Sequence, residues 1–126
     1  GGKMFVDCED GQSISVIDVA SNANLGTILL GFKPGYAEFN STTNELWVSD
    51  ATNGKVAYYL DMGANTWMKH GEFSTAADAH AIAFYGNYVY VTNQGANTVS
   101  VINVATHAKV KDIPVGKKPN GIVFKL

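Results

Sequence analysis

The sequence predicts an all-β chain of about twelve short antiparallel strands, and three observations carry that prediction. Apolar and polar residues alternate with a period of two through stretches such as YVTNQGANTVSVINVATHAKVKDIPVG, residues 90 to 116, as they do in strands with one face on a core. The alternation breaks at DCEDGQ, SDATNG and NQGAN, where Gly, Asn and Asp supply turn conformations, and again at ATHA. The pattern also repeats, since a weaker copy of residues 90 to 116 occurs 85 residues earlier as FVDCEDGQSISVIDVASNANLGTILLG, residues 5 to 31. A period of a few tens of residues makes the repeat the unit of organisation.

Three landmarks keep one order along the chain. A polar residue closes SVIDV, YYLDM and SVINV at Asp18, Asp61 and Asn103, spaced by 43 and 42 residues. An aromatic or apolar triplet, MFV at 4 to 6, LWV at 46 to 48 and VYV at 89 to 91, precedes each turn cluster. The segments KPGYAEF at 33 to 39, DAHAIAF at 78 to 84 and KPNGIVF at 118 to 124 each end in Phe. Each unit therefore reads as four strands, a to d, and no helix is predicted. In the third unit strand a falls at about 79 to 84, b at 87 to 92, c at 97 to 103 and d at 108 to 114. Gly86 with Asn87, and Gly95 between Asn93 and Asn97, mark turns where a positive φ is cheap. Pro114 suits an outer edge, because proline donates nothing to a ladder. Four antiparallel strands in a unit of about 40 to 45 residues, partly apolar on both faces, describe a blade of a β-propeller.

The chain holds three blades' worth of strands in permuted order. Residues 1 to 31 supply strands b to d of a first blade, 32 to 75 a second blade, 76 to 116 a third, and 117 to 126 a closing strand a. Gly1 and Gly2 align with Gly86 and Asn87, so the first unit starts within an a to b turn. Propellers have about four to eight blades, and an open arc leaves a blade face and a strand edge uncovered. The expected partners are further blades. They could come from a second copy, giving a six-bladed homo-oligomer, or from the rest of a longer chain; the sequence favours neither.

Composition limits the other partners. Nine Lys and Arg against eleven Asp and Glu give a net charge of −2, so no basic stripe exists to neutralise phosphates and nucleic acid is not an expected ligand. No apolar run approaches the roughly 18 residues that span a membrane. Cys8 is the single cysteine. It excludes an internal disulfide, and the composition suits an oxidising compartment as well as a reducing one.

The residues YVTN at 90 to 93, NTVSVINVAT at 97 to 106 and IPVGKKPNGIVF at 113 to 124 resemble the YVTN-type propeller repeat of surface-layer and YncE-like proteins. The first unit is similar from Lys3 to Gly31, whereas the second departs, with WVSD for YVTN and a longer NSTTNE turn. The resemblance implies an exported scaffold, periplasmic or on the cell surface in processed form, without catalysis. The same repeat type occurs in haem d1 domains and is similar to that of lactonase-like propellers, so the alternative is an enzyme or redox domain with haem, metal or substrate in the central channel.

In a propeller the a strands line that channel, and the d to a connections and b to c turns share one face. That face would carry His80, Asp78, Lys33, Tyr36, Lys117, Lys118 and Asn120, with Cys8, Asp50 and Asn93 from the turns. His80 is the foremost ligand candidate, because imidazole binds metal and haem and exchanges protons near neutral pH. Without a second ligand at fixed spacing, a structural or solvent-lining reading of His80 is preferred, and no catalytic residue, metal or cofactor is assigned. His70 and His107 are expected as solvated outer-rim residues, Cys8 as a free or partly buried thiol, and Phe5, Trp47 and Tyr90 as core between blades. Asp18, Asp61 and Asn103 read as turn caps. No GxSxG, Walker, HExxH or CxxC element is present.

Overall fold

Each turn cluster closes a hairpin. In the computed structural model, which describes residues 2 to 126, β1 (Lys3–Cys8), β2 (Ser13–Asp18) and β3 (Asn24–Leu29) form one antiparallel sheet. A second sheet contains β4 (Pro34–Asn40), β5 (Glu45–Asp50), β6 (Lys55–Asp61) and β7 (Trp67–Ser74). The third contains β8 (Ala79–Tyr85), β9 (Tyr88–Asn93), β10 (Thr98–Asn103) and β11 (Lys109–Pro114). The predicted strands of the third unit agree with β8 to β11 within a residue or so. Among the described residues there is no helix long and apolar enough to cross a membrane. The register of Gly1 lies outside the described residues.

Sheets two and three meander outward from β4 and β8, and sheet one outward from β1. Gln12, Gly54 and Asn97 hold the same last place in the three b to c turns and all have positive φ, 50°, 62° and 55°. The left-handed residue of the third turn is therefore Asn97 and not Gly95. Gly95 serves close packing instead, because a Cβ there would stand 2.5 Å from Asp78 Oδ2. The cap reading holds: Asp18 accepts from Ser21 N, Asp61 from Gly63 N, and Asn103 from Ala105 N and Thr106 N. In ladder register, however, Asp18 and Asn103 oppose Lys3 and Tyr88, while Glu45 opposes Leu60. Asp61 thus stands one step beyond its counterparts.

Every sheet carries a bulge between its last two strands, at Leu25, His70 and Val110, where one extra residue enters the outer strand. A second irregularity recurs between inner strands, setting Gly35 and Tyr36 against Ser49, and His80 and Ala81 against Thr92. Bulges re-aim side chains, and both kinds bear on the sites described below.

Alternation fills the two gaps between sheets. Leu46 and Val48 face the first sheet and pack with Ile14, Val16 and Tyr59. Trp47, fully buried, faces the third and packs with Val56, Ile82, Val89 and Ile102. One aromatic pair recurs at each step: Phe5 on Phe39 (5.6 Å between ring centroids), Trp47 on Phe84 (5.3 Å) and Tyr90 on Phe124 (5.2 Å).

The third pair belongs to residues 117 to 126, where the structure departs from the expectation of a twelfth strand. This segment makes no ladder, and eleven strands are found among the described residues. The b strand that it would need is β1, which neighbours β4, which neighbours β8, leaving it at the other end of the arc. The segment nevertheless docks on the outer face of the third sheet. Thr92 Oγ1 donates to Asn120 O (3.0 Å), Lys118 N to Asn97 Oδ1 (2.9 Å), and Phe124 covers Tyr85 and Tyr90.

Candidate functional site

The residues expected on the channel face fall into separate groups. His80 and Tyr36 come together: both sit in the inner-strand bulges, with ring centroids 6.3 Å apart, edge to face. Gly35 makes room for them, since a Cβ there would lie 3.3 Å from His80 Nδ1. Partial burial, and then the neighbouring Glu38, push the Tyr36 phenol above its ordinary range, while burial raises the Glu38 carboxyl. Asn120 joins Gln94, whose Nε2 donates to Asn120 Oδ1 at 3.2 Å. Asp78 is exposed at φ 57°, its carbonyl accepting from Gln94 N. Lys33 is 3.9 Å from Asp10 in an exposed pair, and Lys117 is exposed.

Asp50 and Asn93 are buried and engaged by their own turns. The Asp50 carboxylate accepts from Asn53 N and Asn53 Nδ2 (3.2 and 2.8 Å). Asn93 Nδ2 donates to Thr98 Oγ1 and Ser100 Oγ (3.2 and 2.9 Å), while its Oδ1 is buried without a partner. Cys8 is a half-buried thiol 3.5 Å from Ser15 Oγ. Among the described residues no three His, Cys, Asp or Glu side chains converge to hold a metal.

The densest cluster of polar groups lies elsewhere, and it corrects the expectation for His107, whose side chain is only 18% exposed, while His70 is solvated as expected, at 52%, yet also reaches the cluster. Glu45, at the start of β5, has a side chain only 4% exposed. His70 Nδ1 lies 3.3 Å from its Oε2, His107 Nε2 lies 3.2 Å from the same oxygen, and Trp47 Nε1 donates to Oε1 at 3.3 Å. Ionised Glu45 only accepts, so the imidazole nitrogens facing it are the ones that carry hydrogen. The His107 ring stacks on Tyr58 at 3.8 Å and 7°, and on Trp47 at 5.4 Å. His70 reaches Glu45 because it is the bulged residue of β7. His107 reaches it from the turn between β10 and β11, where its φ is 61°.

A carboxylate removed from water must be paired. Here one from the second sheet is satisfied partly by an imidazole of the third, so the cluster clasps the two sheets together. The sequence signal was present in Glu45 itself, a charged residue in the register of Lys3 and Tyr88 beside the core residues Leu46 to Val48.

No protein-family model matches the chain. A stretch of 58 residues, 45% of the chain, is 41% identical to the PE-PGRS family protein PE_PGRS18 of Mycobacterium tuberculosis and spans 12% of that protein. Among solved structures, the hydrazine synthase of Kuenenia stuttgartiensis is similar over 96% of this chain and 35% of its own, with a TM-score of 0.85 at 19% identity. AztD of Citrobacter koseri is similar over 96% of this chain and 34% of its own (TM-score 0.75, 14% identity). A chain of the nidogen/laminin complex is similar over 95% of this chain and 46% of its own (TM-score 0.73, 13% identity). The chain thus spans less than half the length of each. What it shares with the solved structures is architecture: these three radial sheets are a partial β-propeller.

Proposed function

We propose that the chain is a non-catalytic propeller scaffold of the YVTN repeat type, exported to the periplasm or cell surface, that acts by binding further blades and other proteins. The observation that carries this reading is the pair of uncovered apolar ends of the arc. On the first sheet Met4, Val6 and Leu29 are 48%, 41% and 80% exposed on the face turned away from the second sheet. At the other end Val123 and Leu126 are 90% and 91% exposed. Apolar surface gathered at both ends of a repeat array is what neighbouring repeats cover in a closed propeller. The fold likeness to a chain of a two-protein assembly, nidogen/laminin, is in keeping with an interaction role.

Light scattering of the purified chain at tens of micromolar tests the reading, together with its visible absorption and metal content. The expected result is a mass above 13.5 kDa that falls when Met4→Glu and Val6→Glu place charges on the open face. A monodisperse monomer, or stoichiometric haem or metal, would overturn it.

A further inference from the structure

We propose that residues 118 to 125 are the receptor for β1 of a second copy, added as a strand in one definite register. This rests on the scaffold reading and names its partner. The register follows from the two inner ladders. In the second sheet Phe39 opposes Leu46, Ala37 opposes Val48 and Pro34 opposes Asp50. In the third, Phe84 opposes Val89, Ile82 opposes Val91 and Ala79 opposes Asn93. Both set the Phe of the inner strand against the residue just before the b-strand aromatic. Carried to the ends of the chain, the rule pairs Phe124 with Met4, Ile122 with Val6 and Pro119 with Cys8.

Both halves of that ladder are ready for it. Phe124 already occupies on Tyr90 the place that Phe39 and Phe84 occupy on Phe5 and Trp47, so the segment is seated as an inner strand before any partner arrives. Beyond the bonds of Lys118 N and Asn120 O to the third sheet, it belongs to no ladder, and among the described residues the inner edge of β1, the terminal strand of its sheet, has no ladder partner. The chain's own β1 lies two sheets away, so a strand on that edge comes from outside these three sheets. A second copy fits because each copy has one strand to give and one to receive, so two copies related by a twofold satisfy both edges at once. Lys125 would oppose Lys3, and Asp61, 4.0 Å from Lys3 Nζ, offsets that repulsion.

The native thiol makes the register measurable. In Pro119→Cys the new thiol stands opposite Cys8 of the partner, and directly opposed residues have Cβ atoms about 4.5 to 5.5 Å apart, close to disulfide reach. Mild oxidation should give a reducible species of twice 13.5 kDa, and Cys8→Ser in the same background should abolish it. Lys125→Cys, about 17 Å along the strand from Cys8, should couple at least about ten-fold more slowly. Val6→Cys with Ile122→Cys, in a Cys8→Ser background, repeats the test without altering Pro119. A disulfide within one chain, equal coupling of Lys125→Cys, or a dimer by light scattering that neither designed pair captures would overturn the proposal. The last outcome leaves the scaffold reading standing, whereas a chain monomeric at every concentration would sink both.

Discussion

Tyr59 carries the sharpest residue-level consequence. Its ring is part of the core between the first two sheets, yet its hydroxyl is buried without a hydrogen-bond partner. Burial, followed by the charges of Glu72 and Asp50, pushes the phenol up to about 12. The folded value is raised above the ordinary value of 10.0, so the stability tied to the neutral phenol is whole below pH 10 and is lost as pH rises through 12. Replacing Tyr59 by Phe removes the unpaired hydroxyl and the ionisation together. The expected outcome is an unfolding free energy from urea titration at pH 7 that is unchanged or higher, by up to about 1 kcal/mol, and a shallower loss of stability between pH 10 and pH 12. A large loss at pH 7 would mean that the hydroxyl is bonded after all. Glu45 is the contrasting case, a buried polar group whose oxygens are engaged by three donors.

At the scale of elements, the bulge in β7 decides more than the strands around it. It sets Gly71 opposite Tyr58 and leaves His70 as the extra residue that meets Glu45. A Cβ at Gly71 would collide with the Tyr58 hydroxyl and ring. That ring cannot yield freely, because His107 is stacked 3.8 Å from it. Gly71→Ala should therefore destabilise by about 1 to 3 kcal/mol, as overpacking does, although alanine alone would suit a strand better than glycine. Thermal melts of Gly71→Ala and of Gly71→Ala with Tyr58→Phe test the cause: removing the hydroxyl should restore part of the loss. No restoration would place the strain in the backbone of the bulge. Strand positions, caps and turn clusters were legible from alternation and from Gly, Asn and Asp. The bulge was not: one inserted residue inverts the phase of a period-two pattern, but WMKHGEFS of β7 alternates too weakly for that inversion to stand out.

For the whole molecule, the consequential feature is a segment that is docked but unpaired. Residues 117 to 126 cover Tyr85, Tyr90 and Thr92 on the last face of the arc. Deleting them uncovers that face and also removes the inner strand that a neighbour would extend. The truncated chain should aggregate on warming at lower temperature, and give a lower soluble yield, than a chain shortened by residues of the exposed turn at 41 to 44. Turbidity and yield measured side by side would show this. Equal behaviour would mean that the segment protects nothing.

Features that are set within a few residues, or by simple repetition, follow from the amino-acid order alone. The period-two alternation, the turn clusters, the caps at Asp18, Asp61 and Asn103 and the recurring Phe of the inner strands specify short antiparallel strands in radial sheets. The reason is that backbone conformation and alternate burial are local properties. Tertiary structure decided where residues far apart converge. His107 is 62 residues from Glu45, and a positive φ in one turn and a bulge in another strand bring a largely buried histidine, His107, and an exposed one, His70, onto one buried carboxylate. Tertiary structure also decided that KPNGIVFKL is seated like an inner strand and yet has no ladder. Side-chain docking needs only the face of the preceding sheet, which this chain contains; a ladder needs a second strand on the same edge, and the chain's own β1 stands at the opposite end of the arc.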